Sequence, residues 1–165
     1  YTYRIQRYEV SNNEYAAFLN AVAATDTNNL YNVSMGTNAR GGITRSGVSG
    51  SYTYAVKTNM GDKPVNYVTF YSALRYANWL HNNVPTGAQN SASTEDGAYT
   101  FSNETTITAW RKTGMKYWLP NSHEWAKAAY YDPGKSDNWW PYATRYTGAP
   151  TAISGATATG DGITA

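Results

Sequence analysis

Apolar residues recur at helical spacing in three places along the chain, and each place opens with a residue able to cap a helix. The clearest is the stretch YWLPNSHEWAKAAYYDP at residues 117–133. Pro120 blocks a helix arriving from the left, Asn121 can cap one starting there, and Glu124 stands three residues on to complete a capping box. Trp125, Ala128 and Ala129 follow at i, i+3 and i+4, so this short helix is expected to bury one indole and two methyls, with Trp125 as its anchor. Asp132-Pro133-Gly134 should stop it, Pro133 restricting Asp132 and Gly134 taking positive φ.

The second helix begins at Ser11-Asn12-Asn13-Glu14, again a capping box, and runs about ten residues. Tyr15, Phe18, Leu19 and Val22 form its apolar stripe. Thr69 caps the third, in which Phe70, Ala73, Leu74, Ala77 and Leu80 lie on one face with Tyr76 and Trp79 beside them. This most amphipathic segment should face the main core. Alternation in residues 1–10 predicts a strand with Tyr3 and Ile5 inward, and a phase slip near Arg7 admits a bulge before Tyr8 and Val10. Residues 51–57 and Ala98-Tyr99-Thr100-Phe101 are the other strand candidates, the latter after a tight turn at Asp96-Gly97. Between these elements the chain is rich in Asn, Gly, Ser and Thr, and from Trp139 onward it shows no periodicity.

With 165 residues the chain suits one domain, able to bury roughly 68–70% of its unfolded surface. Only 15% of residues are charged and the net charge is +2, without a run of Lys or Arg, which argues against a nucleic-acid binder. No apolar run is long enough to span a membrane. The absence of cysteine removes thiol chemistry, disulfides and Cys-ligated metals from these residues. Low charge with abundant Tyr, Asn and Thr suits an exported protein of the periplasm, cell surface or extracellular space. The opening directly onto a strand pattern suggests a processed chain.

The residues Tyr8-Glu9-Val10-Ser11-Asn12 with Tyr15 and Phe18-Leu19, then Lys63-Pro64-Val65-Asn66-Tyr67-Val68 with Tyr71, Ala73, Ala77 and Asn78-Trp79-Leu80, then Trp118-Leu119-Pro120-Asn121 with Glu124-Trp125 and Ala128-Ala129, come in a telling order. Together they resemble the formylglycine-generating enzyme, or sulfatase-modifying factor, family. Asn121 stands where Thr is usual, and Trp118 where Arg is frequent. The resemblance implies an irregular α+β, C-type-lectin-like fold, with two to three short helices flanking a small antiparallel sheet and long loops. It further implies that catalytic members oxidise a sulfatase cysteine with oxygen and a copper-binding cysteine pair, supported by calcium. Those features belong mainly to the family's C-terminal half. Residues 1–165 are therefore expected to be a single such domain lacking its C-terminal part, with no catalytic, cofactor or metal residue, copper or calcium belonging only to the missing part. Apolar faces at Phe18, Phe70, Leu74, Trp79 and Trp125 would then be incompletely covered.

Other candidates for chemistry have simpler explanations. His81 and His123 lack the spacing of a metal pair. Glu14 and Glu124 could be an acid/base couple, but each has a capping role. Glu95, Asp96 and Asp132 are turn carboxylates, too few for calcium. The group Trp139-Trp140-Pro141-Tyr142 with Tyr130-Tyr131 is either packed as a lid or core, the default, or exposed as an aromatic platform for a sugar or peptide. The expected function is a non-catalytic binding or scaffold module at a bacterial surface or envelope, with a protein, peptide or glycan partner. The alternative is the N-terminal part of a true formylglycine-generating oxidase, which a paired-cysteine segment beyond Ala165 would reveal.

Overall fold

A computed structural model describes residues 1–152 and the short strand at 163–164. The chain divides into two compact units, Tyr8–Leu119 and a second made of Tyr1–Arg7 with Pro120 onward.

In the first unit, α1 (Asn12–Val22) forms as its pattern predicts. Ser11 Oγ accepts from Glu14 N at 3.3 Å while Glu14 Oε2 accepts from Ser11 N at 2.7 Å, so two otherwise orphaned N–H groups are satisfied at the helix start. Tyr15, Phe18, Leu19 and Val22 are all buried. A short α2 (Ser34–Thr37) buries Met35. The strands β1 (Ile43–Ser46) and β2 (Thr53–Val56) pair antiparallel from Ile43↔Val56 to Ser46↔Thr53, with Tyr54 inward, which places the expected strand within residues 51–57.

The helix α3 (Phe70–His81) starts where Thr69 Oγ1 accepts from Ser72 N at 3.1 Å. Its burial is wider than one amphipathic face. Leu74 through Trp79 are buried without interruption. Tyr76 and Trp79 pack with Tyr15 and Phe18, the Phe18 ring lying 5.3 Å from Tyr76 and 5.2 Å from Trp79. Leu74 and Ala77 pack instead with Ala98, Tyr99 and Phe101. The cost of this arrangement falls on Phe70, which is 51% exposed beside the likewise exposed Trp110. Strands β3 (Thr100–Phe101) and β4 (Ile107–Ala109) form a second antiparallel pair with a register shift.

Arg75 and Asn78 occupy the middle of α3 with no exposure at all. Arg75 donates to Glu95 through Nε and Nη2, each at 2.7 Å, to the Glu104 carbonyl at 2.8 Å and to the Asn103 carbonyl at 3.1 Å. Its guanidinium also lies 3.9 Å from the Phe101 ring centroid. Asn78 Nδ2 donates to the carbonyls of Thr94 and Tyr99, and its Oδ1 accepts from Tyr99 N. Gly97 is required here, since a Cβ would stand 2.8 Å from Asn78 Oδ1. Asn12 repeats the device at α1, donating to the carbonyls of Met60 and Lys63 and leaving no room for a side chain at Gly42.

In the second unit, α4 (Ser122–Tyr130) carries the expected capping box, with Asn121 Oδ1 accepting from Glu124 N at 2.9 Å and Glu124 Oε2 from Asn121 N at 2.8 Å. Two expectations are corrected here. Trp125 is 53% exposed, while Glu124 is buried. The helix is anchored through its polar first turn: the Tyr1 hydroxyl donates to the Glu124 carboxylate and the Tyr3 hydroxyl to the Glu124 carbonyl. Residues 1–10 form no strand, and Ile5 and Tyr8 are exposed. Those tyrosine hydroxyls hold the arm where a ladder was expected. Beyond Trp139, where no element was expected, β5 (Thr151–Ala152) pairs antiparallel with β6 (Ile163–Thr164).

Replacing Arg75 by Ala should cost about 3–5 kcal/mol, because it strands the Glu95 carboxylate and two loop carbonyls together. Urea unfolding measures this, and a loss below about 1 kcal/mol, the level of an ordinary surface change, would contradict it.

Candidate functional site

The aromatic residues singled out in the sequence all lie on or just after α4. The helix ends at an extended Tyr131, and the chain then turns back so that Tyr131 bridges Trp139 antiparallel. Asp132 organises the turn with its backbone and both carboxylate oxygens. Its N donates to the Asn138 carbonyl at 2.9 Å, its Oδ1 accepts from Gly134 N at 3.0 Å, and its Oδ2 accepts from the Trp140 indole N–H at 3.0 Å. Asn138, at φ 60°, takes the left-handed conformation that the sequence assigned to Gly134. The Trp140 indole bond, then the Gly134 N–H, hold the Asp132 carboxyl below its usual pKa.

This turn brings some of the expected platform together and separates the rest. Tyr131 and Trp139 meet edge to face at 5.4 Å, and Trp139 is 46% exposed. Tyr130 is half-buried and meets Trp125 edge to face at 5.9 Å. Trp140 is half-buried beneath Lys135, whose ammonium stands 5.5 Å from the ring, and Tyr142 is also half-buried. The five residues therefore make no single flat platform.

A groove of about 320 Å³ opens beside Tyr131, lined by Tyr1, Thr2, Tyr3, Ile5, Lys127 and Ala128. Tyr131 belongs to both groove and aromatic pair, so the two are continuous. The Lys127 ammonium stands 5.9 Å from the Tyr3 ring and 5.9 Å from the Tyr131 ring. Because the Tyr3 hydroxyl is bound to the α4 backbone, its ring is held in place for other contacts. Lys127, Tyr3 and Asp132 were not seen as site residues in the sequence. One signal was available: Lys127 and Tyr131 are four residues apart at the end of a helix, where side chains share a face.

The remaining candidates are accounted for locally. His81 Nδ1 accepts from Lys116 N at 3.3 Å, and His123 is exposed in the first turn of α4. Glu14 caps α1 and Glu95 binds Arg75. Asp96 accepts from Lys112 at 2.5 Å and from Thr100 at 2.6 Å, and these bonds outweigh its partial burial to lower its pKa.

The class defined by these features is an irregular α+β domain with short capped helices, small two-stranded sheets and a solvent-facing aromatic groove. The family model for the sulfatase-modifying factor enzyme 1-like domain matches residues 1–158, and the chain belongs to that family. No curated protein and no solved structure matches the chain significantly.

Two predictions test this geometry. Trp125→Ala should cost only about 0.5–1.5 kcal/mol, the worth of its edge-to-face contact with Tyr130; a loss of about 3 kcal/mol or more in thermal or urea unfolding would require a buried indole. For Asp132 the folded pKa is depressed, so its bond to Trp140 is retained as pH falls through the ordinary aspartate range near 3.9 and is lost only below it. The Trp140 indole proton resonance should accordingly hold its shift from pH 7 to pH 4 and move at lower pH. A transition above pH 4, or its persistence in Asp132→Asn, would contradict the assignment.

Proposed function

We propose that this family member is a non-catalytic binding or scaffold module, exported and displayed at a bacterial surface or envelope, on a C-type-lectin-like variant of the α+β scaffold. Its partner is a protein, peptide or glycan received on the aromatic surface of the α4 region. The observation that carries this reading is the Tyr131–Trp139 pair, which offers exposed ring area continuous with a groove. Rings held by a bridge and a bonded turn lose little freedom when a ligand arrives, which lowers the entropic cost of binding. The low-charge, Tyr-, Asn- and Thr-rich composition supports export.

The donor set supports a role without copper-thiolate chemistry in these residues. A copper-thiolate centre needs cysteine, and the sequence has none. Glu14, Glu95, Glu124, Asp96 and Asp132 are each committed to a cap, a cation or a turn. The competing reading, part of a formylglycine-generating oxidase, would place all cysteine chemistry outside these 165 residues.

The test is a screen of residues 1–165 on glycan and peptide arrays, repeated with Trp139→Ala. A retained ligand that is at least tenfold weaker for the variant is expected, together with no oxidation of a Cys-x-Pro-x-Arg peptide in the presence of copper and oxygen. Peptide turnover above a protein-free control, or array binding indifferent to Trp139, would overturn the reading.

A further inference from the structure

The groove beside α4 has a definite chemical character. Its one charged lining side chain is Lys127, and no carboxylate lines it. Among the described residues Lys127 makes no ion pair; its ammonium has only the faces of Tyr3 and Tyr131 for company, each at the outer limit of cation–π attraction. A lysine so placed retains most of its capacity to bind an anion, as a compact point charge with three donors. Beside it the half-buried Tyr3 and Tyr131 present ring surface, Thr2 brings a hydroxyl and Ala128 leaves the floor open. The Tyr1 and Tyr3 hydroxyls are both spent on Glu124, so these residues offer rings rather than hydroxyls. The volume, about 320 Å³, is at the small end of ligand sites.

We infer that this groove is a subsite for a uronic-acid saccharide, whose carboxylate meets Lys127 Nζ while the C–H face of its sugar ring lies on Tyr131 or Tyr3. An amphipathic ring bearing one negative charge uses every feature of the lining. A neutral sugar would leave the ammonium unanswered, and an acidic peptide adding along the arm would engage backbone and be indifferent to the Tyr131 ring. The inference rests on the binding-module reading and gives it a ligand class.

Calorimetric titration of residues 1–165 with trigalacturonate tests the assignment against its neutral methyl ester and a hexaglutamate peptide. Saturable binding of trigalacturonate is expected, at least tenfold weaker for the methyl ester and at least tenfold weaker in Lys127→Ala and in Tyr131→Ala, with Lys127→Arg retaining affinity within about threefold. Both side chains are solvent-accessible, and unchanged thermal melting of each variant separates lost binding from lost folding. Absence of saturable binding, equal binding of the ester, or hexaglutamate binding with the same dependence on Lys127 would overturn the assignment. An array ligand lost in Trp139→Ala but unaffected by Lys127→Ala would remove this subsite and leave the binding-module reading standing.

Discussion

The unit from Tyr8 to Leu119 depends on a charge that has no access to water. A guanidinium taken into a protein interior loses several kcal/mol of hydration even after relaxation, and only a nearly complete set of partners can offset that. Arg75 obtains it from a bidentate Glu95, two carbonyls and the face of Phe101. All these acceptors lie outside the helices, so satisfying one helical side chain fixes the path of residues 95–104. Glu95 extends the constraint further, because its Oε1 also accepts from Asn28 and Thr94. Asn29 in turn donates to the Glu104 side chain. A loop near residue 28 and another near residue 104 are thereby tied to the same buried cation.

Asparagine side chains, buried at Asn12 and Asn78 and more open at Asn20 and Asn82, extend this logic and give the composition a physical reason. A domain with little sheet has many backbone groups with no ladder partner, and leaving them unpaired inside would cost about 1–3 kcal/mol each. An asparagine amide presents the same donor and acceptor as a peptide group, so it can stand in for a missing strand. Asn78 does so for Thr94 and Tyr99, Asn20 for both polar groups of Tyr54 and the Ala16 carbonyl, and Asn82 for Ser93 and Asp96. In the sequence Asn20 and Asn78 fall within predicted helices, where nothing local marks their amides as partners of distant backbone.

How much could be read beforehand follows from the range of each interaction. Caps are local, and Ser11/Glu14, Thr69 and Asn121/Glu124 form where their spacing put them. The apolar stripe of α1 is buried as its period required. Reading fails where a polar side chain answers to a distant group. Arg75 was not singled out in the sequence, although it is the one Lys, Arg, Asp or Glu of α3 and its partners Glu95, Asn103 and Glu104 lie 20 to 29 residues further on. Trp125 looked buried because it was the largest apolar group on a short helix, whereas Glu124 answers to the Tyr1 hydroxyl 123 residues earlier. The arm failed as a strand because alternation shows which faces differ, not whether a neighbouring strand exists to pair with. At the candidate site the aromatic group was legible as composition, but its division into an exposed pair and a tethered Trp140 depended on the Asp132 turn.

That turn shows how an exposed aromatic surface can be rigid without being buried. Rings in a core are held by packing on all sides, and such rings are unavailable to a ligand. Around α4 the rings are held from one side by polar bonds: Trp140 through its indole N–H to Asp132, Trp139 through the bridge to Tyr131, Tyr1 and Tyr3 through hydroxyls to Glu124. For Trp140, Tyr1 and Tyr3 the bond uses the polar end of an amphipathic side chain, whereas Trp139 is fixed through its backbone. A carboxylate that gathers hydroxyls and N–H groups beneath a surface thus does for binding what a hydrophobic core does for folding, fixing geometry before a partner arrives. The two acids of this region weighed in the sequence both serve as supports, Glu124 holding the helix cap and the Tyr1 hydroxyl, Asp132 holding the turn and the Trp140 indole.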